Sequence, residues 1–378
     1  MRALLLLFSL GAAAAGFAQT ASPLAPSAPA IAARSYLLLD YHSQQMLVSH
    51  RSAERVEPAS LTKLMTAYLT FAALKRKQIQ AEQVVPVSER AWKADGSRMF
   101  VEPRRPVTVD ELMHGMIVQS GNDACIALAE LIAGNEAAFA EMMNREAQRL
   151  GMKDTHFVNA TGLPDAQHYS TAYDLALLAS AVIRDFPQYH PLYSIKEYRY
   201  NNITQANRNR LLWSDPTVDG MKTGYTENAG YCLVSSARRG ERRLISVVLG
   251  TASEAARAAE SQKLLNYGFQ FYDSVKLYGK DQAVTSLPVW KGSGNSVRAG
   301  FIDDLYVSVP KGQADKLKAS LESRQPLFAP IAAGQRLGVM KLTLDGKPYT
   351  EIPVIALEAI PLAGILGRGW DSIRLMFK

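Results

Sequence analysis

Three short motifs carry the residue types of a serine acyl-transfer site and follow one another along the chain: Ser60-Leu61-Thr62-Lys63, Ser120-Gly121-Asn122 and Lys222-Thr223-Gly224. A serine hydroxyl attacks a carbonyl carbon only when a neighbouring base takes its proton. Ser60 and Lys63 are three residues apart, so a helix would place them on one face. A lysine can be that base when burial or a second cation lowers its pKa well below about 10.4. Lys222 is the predicted second cation.

The remaining motif residues have predicted roles around the reacting atoms. Ser120 would relay a proton to the leaving group, and Asn122 would hold the basic lysine and a substrate amide. Gly224 would let a strand backbone lie close to the substrate. The backbone N–H groups of Ser60 and Tyr225 would bind the oxyanion that forms during acyl transfer.

Each motif taken alone has a simpler interpretation. Ser-x-x-Lys occurs by chance, Ser-Gly-Asn is typical of a turn, and Lys-Thr-Gly is typical of a loop. The surroundings favour the catalytic interpretation, because each motif lies at the edge of a predicted helix or strand, where catalytic groups commonly lie.

The element pattern predicts an α+β fold for residues 34–275, with one antiparallel sheet flanked by helices. Early strands at 34–40 and 45–50 and late strands between 231 and 250 would form this sheet. Capping residues, among them Thr108 with Glu111, and Asn135, mark several helix starts. The predicted helices span Val109–Val118, 123–133, Glu136–Leu150, 171–184 and Glu254–Phe271.

The sequence changes character after residue 275. Residues 276–358 contain short alternating runs and the tight-hairpin signal Asp345-Gly346, which predict a small all-β domain with no catalytic residues. Residues 359–378 predict an amphipathic helix with an apolar stripe around Trp370 and a cationic opposite face. This composition favours an anchor at an anionic membrane surface. A helix docked on the β domain is the alternative.

The first 18 residues have the pattern of a signal peptide: Arg2, an apolar core, and small residues before a cleavage site after Ala18. An uncleaved anchor is the alternative. Residues 19–33 are rich in Ala, Pro and Ser and predict a linker. The mature protein is therefore expected to be exported.

Composition limits the other classes of function. With 48% hydrophobic and 20% charged residues the chain is an ordinary globular protein, and its net charge of +7 is spread along the sequence, so no nucleic-acid partner is predicted. Cys125 and Cys232 are too few for a disulfide framework. The six histidines lack metal-binding spacing, so neither a metal nor another cofactor is predicted.

Four longer stretches, at 57–63, 120–125, 167–171 and 219–226, make the chain resemble the low-molecular-mass penicillin-binding proteins of the D-alanyl-D-alanine carboxypeptidase type (penicillin-binding protein 5/6 type, peptidase family S11). The resemblance extends over nearly the whole chain. It implies a β-lactamase/transpeptidase-like catalytic domain in the periplasm, attached peripherally to the inner membrane by the C-terminal helix. Peptidoglycan stem peptides and β-lactam antibiotics are the implied ligands.

The resemblance also implies a role for each site residue. Ser60 would form the acyl-enzyme with the penultimate D-Ala carbonyl, and β-lactams would acylate the same hydroxyl. Tyr225 departs from the family pattern, since many relatives have His there, and a changed rate or pH profile is expected. The implied catalytic residues are Ser60, Lys63, Ser120 and Asn122, and the implied substrate-binding residues are Lys222, Thr223, Gly224 and Arg257, the last for the terminal carboxylate.

Three other functions were weighed. A serine β-lactamase shares the nucleophile but needs a fast deacylation base, and residues 159–170 contain no glutamate and only one acid, Asp165. A non-enzymatic wall-binding protein with a relic site would have no reason to keep the whole set of polar residues. A D,D-endopeptidase acting on cross-links uses the same chemistry on a larger substrate, so this alternative stays open.

Overall fold

The computed structural model describes residues 26–364 and 370–371. Its central feature is a five-stranded antiparallel sheet with the strand order β2-β1-β9-β8-β7, so N-terminal and late strands lie side by side and β7 forms one edge. The strands of this region are β1 (Ser35–Asp40), β2 (Met46–His50), β3 (Val84–Val85), β4 (Val107–Thr108), β5 (Glu197–Tyr200), β6 (Ile203–Ala206), β7 (Val218–Thr226), β8 (Gly230–Arg239) and β9 (Arg242–Thr251).

Helices cover both faces of the sheet. Because successive strand residues point to opposite faces, Leu38 packs with Leu264 on one side, while Leu37 and Leu39 join the larger helical core on the other. The helices are α1 (Lys63–Lys75), α2 (Glu89–Trp92), α3 (Val109–Val118), α4 (Asn122–Ala133), α5 (Glu136–Leu150), α6 (Ala172–Asp185), α7 (Leu211–Ser214) and α8 (Glu254–Phe271).

The predicted antiparallel sheet flanked by helices is confirmed. A strand backbone was expected at Gly224, but the element pattern placed Lys222-Thr223-Gly224 just before the strand runs, whereas the motif lies inside β7 and pairs with β8. The short hairpin of β5 and β6 was also missed.

A β domain follows α8. Its main sheet has the order β14-β16-β17-β12-β11-β15, and β10 pairs with β13. The predicted hairpin at Asp345-Gly346 is present, with Leu344 opposite Lys347. The strands are β10 (Tyr272–Tyr278), β11 (Ala283–Trp290), β12 (Ser296–Gly300), β13 (Leu305–Pro310), β14 (Leu317–Ser323), β15 (Leu327–Phe328), β16 (Arg336–Leu344) and β17 (Lys347–Ala356).

The C-terminal expectation needs a correction. A helix from residue 359 was predicted, but Ile360 forms a β-bridge with Ile331, and Leu362 forms one with Gly292. Residues 360–363 therefore belong to the β domain, because their backbone forms hydrogen bonds within it and the Ile360 side chain packs in its hydrophobic core. Residues 370–371 are helical, and the rest of the predicted anchor lies outside the described residues.

A buried ion pair lies where the five-stranded sheet meets the start of the β domain. Arg242 Nε is 3.0 Å from Asp40 Oδ2, and the Asp40 side chain is wholly buried. Arg242 also donates to the carbonyl oxygens of Gly268 and Tyr272, at the end of α8 and the start of β10. One guanidinium thus links the sheet to the chain segment that enters the β domain.

Candidate active site

Ser60 lies in a tight turn that leads directly into α1. The 3-10 turn Ala59–Thr62 precedes Lys63, so serine and lysine lie one turn apart as the spacing predicts. Ala59 has a positive φ of 48°, an uncommon conformation for a residue with a side chain. Lys63 Nζ lies 2.9 Å from Ser60 Oγ, within hydrogen-bonding distance for proton transfer.

Two further acceptors hold the amine of Lys63. Nζ donates to Asn122 Oδ1 at 2.7 Å and to the carbonyl oxygen of Thr161 at 2.6 Å. The orientation of the Asn122 amide follows from its other partner, because its Nδ2 donates to the carbonyl oxygen of Asp95 at 2.6 Å. A neutral amine has two N–H bonds and one lone pair. If both N–H bonds go to these acceptors, the lone pair is left facing Ser60.

Burial lowers the pKa of Lys63 enough for its neutral form to exist near neutral pH. Its side chain is 1% exposed. Loss of hydration disfavours the ammonium form and lowers the pKa of Lys63 to about 8, with Arg208 adding a smaller effect in the same direction. The cation predicted from the sequence to have this effect was Lys222. Burial, which was also predicted, is the main cause, and the cation that adds to it is Arg208.

Ser120 lies at the sharp corner between α3 and α4. Its φ of 62° is in the left-handed region, which turns the side chain into the space between Lys63 and β7. Lys222 Nζ donates to Ser120 Oγ at 3.0 Å and to the carbonyl oxygen of Thr223 at 3.1 Å. Since Ser120 Oγ accepts this bond, its own O–H remains free to donate to a substrate atom.

Lys222 is buried together with Lys63. Loss of hydration lowers the pKa of Lys222 well below its ordinary value, and the nearby Lys63 lowers it further. Both buried amines therefore give up a proton more readily than exposed lysines do.

Gly224 brings the edge strand against the Ser60 turn. A Cβ at this position would lie 3.1 Å from the carbonyl oxygen of Pro58 and 3.2 Å from Cβ of Ala59. Only glycine permits this approach without displacing the turn. The fit of β7 against the turn is what brings Lys222 and Thr223 to the same cleft as Ser60.

Arginines lie at the other end of the cleft. Arg257 is 2% exposed, and burial lowers its pKa. Its bonds to the carbonyl oxygens of Gly224 (3.4 Å) and Arg208 (3.3 Å) and to Glu254 (3.3 Å) are all long, so its donors are weakly engaged.

Tyr225 forms an aromatic wall next to Arg257. Its ring is half exposed and lies 4.4 Å from the ring of Tyr231, over which Arg257 stacks at 5.6 Å. The Tyr225 side chain is thus directed to an aromatic neighbour.

A cavity of about 520 Å³ unites these groups. The two predicted lysines lie beneath it and reach it through Ser60 and Ser120. Sequence reasoning missed Arg208 and the Thr161 carbonyl, although the Asn159 and Gly162 pair around Thr161 is a recognisable turn signal. The predicted residues that line the cavity are Ser60, Ser120, Asn122, Thr223, Gly224, Tyr225 and Arg257. Within residues 26–364 and 370–371 no group of three His, Cys, Asp or Glu side chains is arranged to hold a metal ion.

The sheet, the buried lysine and the turn-borne serine define a serine acyl-transfer enzyme. A family model described as D-alanyl-D-alanine carboxypeptidase matches residues 22–253, and one described as penicillin-binding protein 5, C-terminal domain, matches residues 272–362. The chain therefore belongs to the D-alanyl-D-alanine carboxypeptidase family, peptidase S11.

Individual relatives agree with this assignment. The chain is 42% identical to D-alanyl-D-alanine carboxypeptidase DacC of Escherichia coli over 93% of this chain and 90% of the relative. Penicillin-binding protein 5 of Haemophilus influenzae has a similar solved structure, with a TM-score of 0.84 and 40% identity over 89% of this chain and 99% of that one. Penicillin-binding protein D2 of Listeria monocytogenes, solved with ampicillin bound, gives a TM-score of 0.59 and 30% identity over 63% of this chain and 98% of that one.

Proposed function

We propose that this chain removes the terminal D-Ala from peptidoglycan stem peptides through an acyl-enzyme on Ser60. The observation that carries the proposal is the 2.9 Å contact between Lys63 Nζ and Ser60 Oγ, with the lysine buried and two carbonyl-type acceptors on its N–H bonds. That arrangement leaves a basic lone pair at the nucleophile. Family membership supplies the substrate class.

Acylation begins when Lys63 takes the Ser60 proton and Oγ attacks the carbonyl carbon of the penultimate D-Ala. The backbone N–H groups of Ser60 and Tyr225 are the proposed donors to the resulting oxyanion, because both residues line the cavity. The negative charge forms in a cavity lined by Arg208 and Arg257, so the positive potential there favours it.

Departure of D-Ala needs a proton on its nitrogen. Ser120 donates its O–H to this nitrogen, and Lys222, which already donates to Ser120 Oγ, replaces the lost proton. Arg257 and Arg208 bind the carboxylate of the departing residue, because both line the cavity, lie next to each other, and the donors of Arg257 are weakly engaged. The proton held by Lys63 then returns to Lys222, so Lys63 can take a proton from a water molecule whose oxygen attacks the ester carbonyl. That proton passes to Ser60 Oγ as the shortened peptide is released.

β-Lactams acylate the same serine, because their strained amide presents a carbonyl carbon and a carboxylate to the same groups. The loop that would hold a β-lactamase deacylation base carries only Asp165, which is exposed and accepts from the backbone N–H of Gln167 at 2.8 Å. Slow release of the penicilloyl group follows. An endopeptidase action on cross-links uses the same groups and is distinguished only by assay.

Ser60→Ala tests the central claim. The variant should release no D-Ala from a stem pentapeptide and should gain no mass on incubation with penicillin. Ser320→Ala, an exposed serine of the β domain, is the matched control and should behave as the parent. D-Ala release or a penicilloyl adduct in Ser60→Ala contradicts the proposal. A dimeric cross-linked muropeptide offered in parallel tests the endopeptidase alternative.

We also propose that the mature protein is periplasmic and lies on the inner membrane. Residues 1–18 have the signal pattern, and the tail combines Trp370 and other apolar residues with basic ones. Trp370 is 63% exposed, which leaves its ring available to a lipid interface. No helix among the described residues is long and apolar enough to cross a bilayer, so surface attachment is the mode proposed.

The tail is tested by truncation after residue 364, because residues 360–363 pair within the β domain. The shortened protein should lose sedimentation with vesicles of anionic lipid and keep penicillin acylation. Asp371 accepts the backbone N–H of Lys291 at 2.6 Å, so Asp371→Ala controls for loss of that contact and should still bind vesicles. Equal vesicle binding by the truncated and full-length proteins contradicts the anchor.

A further inference from the structure

His168 is a buried residue that touches none of the reacting atoms. It is 2% exposed and ends the loop 158–168, with its ring against Thr62 of the Ser60 turn. The backbone N–H of Val158 donates to His168 Nδ1 at 3.1 Å, so Nδ1 must be the unprotonated nitrogen. Its Nε2–H therefore donates to Thr62 Oγ1, which lies at 2.7 Å. Burial lowers the pKa of His168 to about 4, so the ring stays neutral when the enzyme works near neutral pH.

Three hydrogen bonds attach the loop 158–168 to the first residues of the α1 region. Beside the His168–Thr62 bond, Thr66 Oγ1 donates to the carbonyl oxygen of Ala160 at 2.6 Å. The third bond runs from Lys63 Nζ to the carbonyl oxygen of Thr161. Along the loop, Ala160 and His168 lie on either side of Thr161, so their hydrogen bonds fix the position of the Thr161 carbonyl.

The inside of the loop is shaped by Asn159. Its Oδ1 accepts from the backbone N–H groups of Thr161 (3.1 Å) and Gly162 (2.7 Å). Gly162 has a φ of 85°, and a Cβ there would lie 1.8 Å from the carbonyl oxygen of Ala59. The loop therefore packs tightly against the Ser60 turn, and its Thr161 carbonyl points to the lysine.

The Thr161 carbonyl determines how the neutral Lys63 amine is oriented. With that acceptor and Asn122 Oδ1 in place, both N–H bonds are used and the lone pair faces Ser60. Without it, one N–H bond is free to turn to Ser60 Oγ, and the lone pair then points away from the proton it must take. Proton transfer requires this alignment, so misplacement slows acylation without changing the chemical groups present.

We propose that His168 is a positioning residue for acylation: by holding Thr62 and the loop together, it keeps the Thr161 carbonyl on Lys63 and the lone pair of Lys63 on Ser60. The inference rests on the proposed roles of Ser60 and Lys63. His168 also joins the motif at 167–171 to the first motif, a link that the catalytic roles leave unexplained.

The test measures acylation by a chromogenic β-lactam in single turnovers, which separates binding, the acylation rate constant and the number of active sites. His168→Leu removes both hydrogen bonds, and its acylation rate constant should fall by about tenfold to a hundredfold, since a displacement near 1 Å can cost that much. The dissociation constant for the β-lactam and the burst of one acyl group per enzyme should not change. His168→Gln keeps a donor and an acceptor and should recover most of the rate.

Two variants keep the test decisive if His168→Leu does not fold. Thr62→Val removes only the accepting oxygen and should slow acylation, and adding His168→Gln to it should cost little more because both act through one contact. His50→Leu is the matched control, since this exposed histidine ends β2, at the sheet edge opposite β7, packs on Tyr36 and should leave the rate unchanged.

Several outcomes overturn the positioning role. An unchanged rate constant in Thr62→Val would do so, as would a reduced burst with a normal rate in His168→Leu, which indicates unfolding alone. Equal losses in His168→Gln and His168→Leu would also contradict it. Failure of the proposed function itself looks different, because the parent protein would then form no acyl adduct on Ser60.

Discussion

The acylation rate should depend on pH through the neutral fraction of the buried lysine. Burial lowers the pKa of Lys63 from 10.5 to about 8. At pH 7 about one-tenth of such lysines are neutral, against about one in three thousand for an unperturbed one, because each unit of pKa is a factor of ten. The burial of Lys63 is therefore worth about three hundredfold in the concentration of active base at pH 7.

Single-turnover acylation by a chromogenic cephalosporin between pH 6 and 9.5 measures this effect. The rate constant should rise about tenfold per pH unit below pH 7.5 and level off near pH 8.5. The Cys125 thiol, whose pKa burial raises to about 12, and His168, whose pKa burial lowers to about 4, titrate outside this range.

Lys63→Arg provides the control, because a guanidinium keeps its proton throughout this range and its acylation should be negligible at every pH. A rate constant that changes less than about twofold between pH 6 and pH 8 would refute the role of a buried neutral lysine. A rising limb centred near pH 10 would refute the claim that burial lowers its pKa.

Two further changes probe the structure around the site. Gly162→Ala should lower the free energy of unfolding by at least about 2 kcal/mol and slow acylation, because its Cβ meets the Ala59 carbonyl. The control Gly240→Ala is also at positive φ but has no atom within 4 Å of a Cβ, so it should lower the free energy of unfolding by only about 1–2 kcal/mol and leave acylation intact. Equal losses in urea unfolding would contradict the packing argument. Arg242→Met should lower the free energy of unfolding by about 3–5 kcal/mol, because it leaves the buried Asp40 carboxylate without its ion-pair partner. Acylation per folded molecule should be unchanged. A loss of stability below about 1 kcal/mol would mean that water reaches the carboxylate.

Local signals explain which elements the sequence predicted well. The helix Val109–Val118 was predicted with its observed bounds because Thr108 and Glu111 form a capping box that fixes its start. Glu136–Leu150 was also predicted with its observed bounds, since Asn135 caps its start and Gly151 ends it in the left-handed conformation with φ 81°. Each of these signals acts within four residues, so no tertiary information was needed.

The missed elements depend on distant partners. Lys222-Thr223-Gly224 has no strand-like alternation, and it is extended because Lys222 pairs with Val234 across the β7–β8 ladder. The strand Leu317–Ser323 has a mostly exposed, helix-compatible composition and is extended because it pairs with Arg336–Leu344. A local sequence pattern does not predict a strand whose extended conformation depends on hydrogen bonds to a distant strand.

The active site was predictable as a set of residue types but not as a set of contacts. Ser60, Lys63 and Ser120 stand in recognisable motifs. The acceptor that directs Lys63, the Thr161 carbonyl, is a backbone group and has no residue signature. Arg208 was missed for a different reason, because a lone arginine outside a motif gains meaning only when folding brings it to the cavity.

The same burial that activates Lys63 works against folding. A lysine whose pKa is about 8 when folded and 10.5 when unfolded binds more protons in the unfolded state between these pH values, so its contribution to stability rises with pH across that window and is lowest below pH 8. The penalty below pH 8 is about 3 kcal/mol for this residue alone. The surrounding core must offset it, and α1, which begins at Lys63 and is buried along most of its length, supplies such a core. The reactivity proposed for Lys63 therefore depends on hydrophobic packing along α1, and changes that loosen α1 should lower stability and raise the pKa of Lys63 together.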